Sequence, residues 1–173
     1  MAGWAGLTIE AWIKFERSAA THAATIVSNL PQPPVPSGQA GVQLGITFPA
    51  GVLQGYVTTA AGKLVGGTFP DLTIDGNWHE IALTYDPYFG LRGYLDGKVS
   101  ATRFLSSATL AATASAPLLV GGSGSSASDH YRGWIDDLRV SSTKRDPAWL
   151  VANVTDVLRP AQFYTIGSEQ HLQ

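Results

Sequence analysis

Two glutamates open the chemical question. Glu10 and Glu80 are the only carboxylates that fall in the middle of alternating apolar segments with an outward or groove-facing register. A pair of carboxyl groups flanking one bond is the usual equipment for glycoside hydrolysis. The other acids are sparse, and a plain strand-surface role accounts for Glu10 and Glu80 equally well. No G-x-S-x-G and no phosphate-binding loop occurs. Histidine gives no metal site either. His79 is far in sequence from His22, His130 and His171, with no ligand spacing between them. In WHEIALTY, His79 shares a face with Ile81, Leu83 and Tyr85, and Trp78 shares one with Glu80, Ala82 and Thr84. This register predicts that Trp78 caps the core and that His79 bonds to a neighbouring loop.

Aromatic residues carry a different chemistry. A sugar presents apolar C–H faces and many hydroxyls, so its site offers a flat ring with polar side chains around it. Trp12 lies on the polar face of its segment beside Glu10 and Lys14. His130, Tyr131 and Trp134 flank a Gly/Ser-rich loop that contains Asp129. Tyr88 and Phe89 occupy a hairpin tip, where exposed rings often mark contact sites. Stacking by Trp12, Tyr88, Phe89, His130, Tyr131 and Trp134 is expected, with hydrogen bonds from Glu10, Glu80 and Asp129. The opposing reading tucks these rings under loops.

The elements that must position them read as strands. In LTIEAWIKF, residues 7–15, Leu7, Ile9, Ala11, Ile13 and Phe15 point one way and Thr8, Glu10, Trp12 and Lys14 the other, which predicts a half-buried strand. Residues 24–29, 41–48, 52–59, 78–85, 91–97, 116–122 and 132–142 read similarly. Turn signals recur about every eight to twelve residues, the cadence of a sandwich or barrel. Asp96-Gly97 predicts a two-residue hairpin turn. The run 31–38 holds four prolines and reads as a surface loop. Near the end, Asp146 can cap a helix with Pro147 in its first position, and Trp149, Leu150, Val154 and Val157 follow at helical spacing. FYTIG, 163–167, reads as a last short strand.

Composition narrows the partners. The chain has 173 residues, 14% charged, a formal charge of -2 and no cysteine. One domain spanning 1–173 is expected, with a core over 7–142 and a helix and strand over 146–167. No basic cluster is present to neutralise phosphates, so a nucleic-acid partner is not expected. Disulfides and Cys-ligated zinc are excluded. No apolar run approaches the roughly 18 residues of a membrane helix. No signal peptide is visible, and an excised or processed domain is expected.

TIEAWIKF, IVSN, NWHEIALTYD, GYLDGK, LLVGG and GWIDDLRVSS occur in the order found in concanavalin A-like, laminin-G-like jelly-roll domains of the pentraxin-related branch, and the chain resembles that family over roughly 7–142. The resemblance implies an all-β fold: two curved antiparallel sheets, one concave face serving as a ligand groove, and one short C-terminal helix. It implies a lectin-like or adhesion module that takes a glycan or a surface protein, in an extracellular, cell-surface or virion-surface setting. Catalytic relatives carry E-x-D-x-x-E on one strand, which is missing here, so a glycosidase or lyase ranks third. Several relatives hold a structural calcium with the aspartate matching Asp136, and oxygen ligands suit that cation. Pairing of Asp136 or Asp137 with Arg139 or Arg132 is the alternative. The family's usual first strand is missing; either it was trimmed or FYTIG fills its place. That gap raises the second reading, an assembly domain whose open sheet edge accepts a strand from a neighbour.

Overall fold

The computed structural model describes residues 4–16, 23–30, 40–112, 117–123, 129–163 and 167. Ten strands, β1 (Leu7–Phe15), β2 (Ala24–Ser28), β3 (Val42–Thr47), β4 (Val52–Thr58), β5 (Leu64–Thr73), β6 (Trp78–Asp86), β7 (Gly90–Leu95), β8 (Lys98–Phe104), β9 (Leu119–Val120) and β10 (Gly133–Ser141), precede the helices α1 (Pro147–Leu158) and α2 (Pro160–Phe163). The strands form two five-stranded sheets, ordered β10-β1-β6-β7-β8 and β5-β4-β3-β2-β9. Every paired neighbour is antiparallel. The expected all-β sandwich of two antiparallel sheets is therefore the fold.

The core lies between the sheets. Leu7, Ile9, Ile13 and Phe15 of β1 meet Leu44, Ile46, Leu53 and Phe69 of the opposite sheet, all buried. Two glycines let large side chains across. A Cβ on Gly55 would sit 2.4 Å from Leu83 Cδ1, and one on Gly93 would sit 2.8 Å from the Phe69 ring. Asp96 and Gly97 both take positive φ, 51° and 73°, the left-handed pair that a type I′ hairpin needs, and Leu95 pairs with Lys98 across them. β5 runs further than its LVGG start suggests. It continues through Pro70, which an edge strand tolerates where the ladder register breaks between Val52 and Leu53.

The outer face of the first sheet is covered over much of β1, which corrects the half-buried reading of that strand. Thr8, Glu10 and Trp12 are buried although they point away from the core. The cause is α1, which lies against that outer face. Its cap forms as expected, with Asp146 Oδ1 accepting the Ala148 N–H at 2.8 Å and Pro147 in the first turn. Leu150 packs on Ala82 and Tyr94, and Val154 is the other buried residue. Trp149 and Val157 face outward instead, and Arg145 stacks 4.5 Å from the Trp149 ring centre. Of the segment read as a last strand, 163–167, Phe163 instead ends the helical turn α2, which Pro160 opens in the position proline favours, and Gly167 is in no regular element. Residues 164–166 lie outside the described ones, as does the proline-rich run 31–38. Among the described residues no helix is long and apolar enough to cross a membrane.

Candidate functional site

The outer face of the first sheet is laid out in rows by cross-strand pairing. Trp134, Lys14 and Trp78 are partners across β10, β1 and β6. Asp136, Trp12 and Glu80 form the next row, and Arg139, Glu10 and Ala82 the one after. Side chains alternate along a strand, so these rows share one face. α1 covers the third row. Its last residues, Val157 and Leu158, stop beside the second. The first row stays open: Trp134 is 56% and Trp78 41% exposed. Lys14 Nζ lies 5.6 Å from the Trp134 ring centre, a cation–π contact.

A cavity of about 330 Å³ opens where helix and rows meet, lined by Trp12, Trp78, Asp136, Asp137, Val157 and Leu158. A bulge shapes its rim. Glu10 pairs with Arg139 but Trp12 with Asp136, so β10 carries one extra residue, and Asp137 takes φ 48° there. The kink turns Asp137 onto Arg139, whose Nε donates to Asp137 Oδ1 at 2.9 Å. Arg139 also donates to Asn153 of α1 at 3.1 Å and lies 4.0 Å from Glu10. Asp137–Arg139 is thus the pairing, and Asp136 accepts the Asp137 N–H at 2.8 Å.

Glu10 and Glu80 do not point outward to solvent. They are 2% and 1% exposed, beneath α1. Burial pushes the Glu80 carboxyl up to about 8, with Glu10 and Asp96 adding to the rise and Arg139 opposing it. The Gly97 N–H favours the ionised form slightly, yet neither Glu80 oxygen gains a hydrogen bond of acceptable geometry. Glu10 also rises by burial, opposed by Arg139 and Arg145. Hydrolysis requires both carboxyls to face a common substrate; here the helix closes over them. Trp12, 7% exposed, forms the cavity floor and is not a free platform.

The other expected residues are not gathered at this place. Tyr88 and Phe89 stand at the far end of β6, about 25 Å from Trp78 by strand rise. Tyr88 is 89% exposed beside a larger cavity of about 630 Å³. Phe89 lies under Lys144 Nζ at 3.9 Å, and Lys144 also pairs with Asp86 at 3.4 Å. The 129–131 group divides. Asp129 is buried, its Oδ2 accepting the Ser123 N–H at 3.0 Å. Tyr131 packs edge-on against Phe15 at 5.6 Å, and burial raises its phenol far above the ordinary range. Only His130 of the three is exposed. Residues 124–128 of that loop lie outside the described ones.

Trp78 was missed as a site residue. It does not cap the core; its ring stands on the open outer row. The readable signal was its shared face with Glu80, which is the face of Trp12. Val157, Leu158 and Asp137 could not be assigned to this cavity from sequence, since helix docking and a bulge place them.

His79 behaves as its loop-bonding role predicts. Nδ1 meets Asp96 Oδ2 at 2.7 Å and Nε2 meets Asp75 Oδ1 at 2.9 Å, so the ring clasps two turns. The Asp96 hydrogen bond, helped by Asp75 and opposed by burial, lifts His79 to about 9. Asp75 falls to about 2, chiefly through His79. The His79 contribution to stability is therefore complete below its ordinary value of 6.5 and is lost as pH rises through 9. Asp75 acts on the acid side, with its share lost as pH falls from 3.8 towards 2. Thermal melts are expected to show the wild type losing about 1–2 kcal/mol relative to His79→Gln on the alkaline side of neutrality. Parallel melting curves for the two proteins across that range would refute the clasp.

Calcium needs six to eight oxygen ligands. Among the described residues no group of three or more ligating side chains forms, around Asp136 or elsewhere. The Asp137 carboxylate beside it is taken by Arg139.

Solved structures share this architecture. A native heptameric SAP-like pentraxin from Limulus polyphemus superposes with a TM-score of 0.60 at 16% identity, over 90% of this chain and 73% of that one. The CBM40 of a Ruminococcus gnavus IT-sialidase, bound to alpha2,3 sialyllactose, gives 0.66 at 16% identity, over 87% and 83%. Botulinum neurotoxin type C, whose cell entry depends on two ganglioside molecules, gives 0.61 at 13% identity, with 89% of this chain covering 36% of that one. No curated protein matches in sequence. The model of the concanavalin A-like lectin/glucanases superfamily matches residues 3–150, and the chain belongs to that superfamily.

Proposed function

We propose that this chain is a carbohydrate-binding module of a secreted or surface protein, and that the open tryptophan row with the cavity behind it is its ligand face. The observation that carries the reading is the arrangement of Trp134, Lys14, Trp78 and Trp12 on one face, two of the rings exposed and polar groups around them. Flat rings stack on the apolar faces of sugars, and Lys14 and Asp136 offer hydrogen bonds at the edges. The glycan-binding neighbours support the class of ligand without supplying its identity.

A glycan array followed by calorimetry tests this. Trp78→Ala and Trp134→Ala are each expected to weaken binding roughly tenfold, about 1.4 kcal/mol. Tyr88→Ala serves as the distant control and is expected to change little. A chelator arm is expected to leave binding intact. An array with no hits, or hits indifferent to both tryptophans, would overturn the assignment.

One observation favours a second reading, an assembly domain. Among the described residues the second sheet ends on the two-residue strand β9, where Val120 is 55% exposed and Leu118, just before it, 39%. An apolar open edge accepts a strand from a neighbour. A blank array together with self-association in solution would select it.

A further inference from the structure

We propose that the outer face of the first sheet carries a second site, in which Arg92 and Arg103 together take a tetrahedral oxyanion, the phosphate or sulfate group of an ester. The site lies beyond the other end of α1, roughly 20 Å along β6 from Trp78 by strand rise, and does not rest on the carbohydrate-binding reading.

The register carries the argument. Ser141, Thr8, Thr84, Arg92 and Arg103 are successive partners across β10, β1, β6, β7 and β8, so their side chains share the outer face. This row lies just past Ala82 and Tyr94, where Leu150 seats the first turns of α1. Like charges directly opposite each other on paired strands cost stability, and partners of this kind stand about 5 Å apart at Cα. A carboxylate between the two arginines would offset that cost. Among the described residues none does so, and neither guanidinium has a hydrogen bond or an ion pair.

The acids of the surrounding rows are committed elsewhere. Asp86 Oδ1 accepts the Tyr88 and Phe89 N–H groups, and its Oδ2 pairs with Lys144 at 3.4 Å. Glu10 lies 4.0 Å from Arg139, and Asp146 caps α1. The charge of the arginine pair is therefore left for a ligand to meet.

The two side chains also say which anion fits. Arg92 Nε and the Thr84 hydroxyl are closed to solvent, so the inner part of the Arg92 side chain is packed in place. Its two Nη nitrogens reach out as a fork beside the exposed Arg103. β8 is the edge of its sheet, which leaves room for whatever carries the anion. One guanidinium fork saturates both oxygens of a carboxylate. A phosphate or sulfate ester has three free oxygens, so it can serve both forks at once. The pair therefore selects a tetrahedral group over a planar one.

The test is a titration of the full chain with sodium sulfate, sodium phosphate and sodium acetate, each balanced with sodium chloride to one ionic strength. The arginine Nε–H signals of a proton–nitrogen NMR spectrum report binding, and Arg92→Gln and Arg103→Gln identify the two peaks. Sulfate and phosphate are expected to shift both peaks and to saturate, with acetate roughly tenfold weaker or more. Arg103→Gln, a change at an exposed position, is expected to weaken sulfate binding roughly tenfold. If Arg92→Gln fails to fold, Arg103→Gln and the wild-type peaks decide. Methyl phosphate and methyl sulfate then distinguish the two sources of the group, and the one that binds tighter names it. Acetate binding as tightly as sulfate, peaks that follow ionic strength alone, or full sulfate binding by Arg103→Gln would overturn the site. Failure of both methyl esters where the inorganic ions bind would overturn its assignment to an ester. None of these results bears on the tryptophan face.

Discussion

Glu80→Gln is expected to stabilise the protein at pH 8 by roughly 2–4 kcal/mol while leaving it almost unchanged near pH 4. The reason lies in where β6 puts this side chain. It is 1% exposed, beside Glu10 and beneath α1. The folded state therefore holds its proton up to about 8, whereas the unfolded chain releases it near 4.5. A group whose folded value is raised contributes fully below the unfolded value. That contribution drains as pH climbs to the folded value. Stability of the wild type should thus fall between about 4.5 and 8 and then level off. Glutamine cannot ionise, so the variant should escape that slope. Urea unfolding at several pH values measures it. His79 weakens the fold over an overlapping alkaline range, so the difference between the two proteins is the quantity to read. Equal slopes in wild type and variant would show that Glu80 is ionised in the fold and that the helix does not seal it.

Arg139→Met is expected to cost roughly 2–3 kcal/mol at neutral pH, the larger part because charges lose their partner. Arg139 joins three elements. It neutralises Asp137 at the bulge, donates to Asn153 on α1 and is the main positive charge acting on the buried Glu10. Methionine keeps the aliphatic stem and removes the fork. The penalty should shrink in acid, where Glu10 is protonated and has no charge to leave unpaired. Hydrogen exchange adds a spatial readout. Amides of α1 should exchange faster, since only Leu150 and Val154 are buried from that helix and a twelve-residue helix is marginal alone. Amides of β6 and β7 should keep their protection. Unchanged protection in α1 would mean that Leu150, seated on Ala82 and Tyr94, holds the helix without help from the arginine.

Much of the fold could be read along the chain. Period-two alternation located β1 and β6, Asp96-Gly97 fixed its hairpin, and Asp146-Pro147 placed the start of α1. These signals are local, because a strand's faces, a turn's φ angles and a helix cap depend on residues a few positions apart. The site was legible only in part. Trp12 and Trp134 were singled out and do lie on one face. Trp78 was set aside, although its register with Glu80 was visible. Asp129 and Tyr131 were expected at the surface. They turn inward because loop 129–131 folds against β1 and β2, a contact between segments over a hundred residues apart.

Residue order alone was enough for most strand positions, their two faces and the residue types on each. Covalent spacing and side-chain chemistry are enough for that. Which outer face stays open was a tertiary decision. Alternation marks Thr8, Glu10, Trp12 and Lys14 as one polar face, but it cannot say that α1, more than 130 residues further along, will lie over its middle. Docking of Leu150 there turned two apparent surface carboxylates into buried, raised ones. It also left open the row past the helix's end. Burial depends on what packs against a residue, and for this face that partner comes from the far end of the chain.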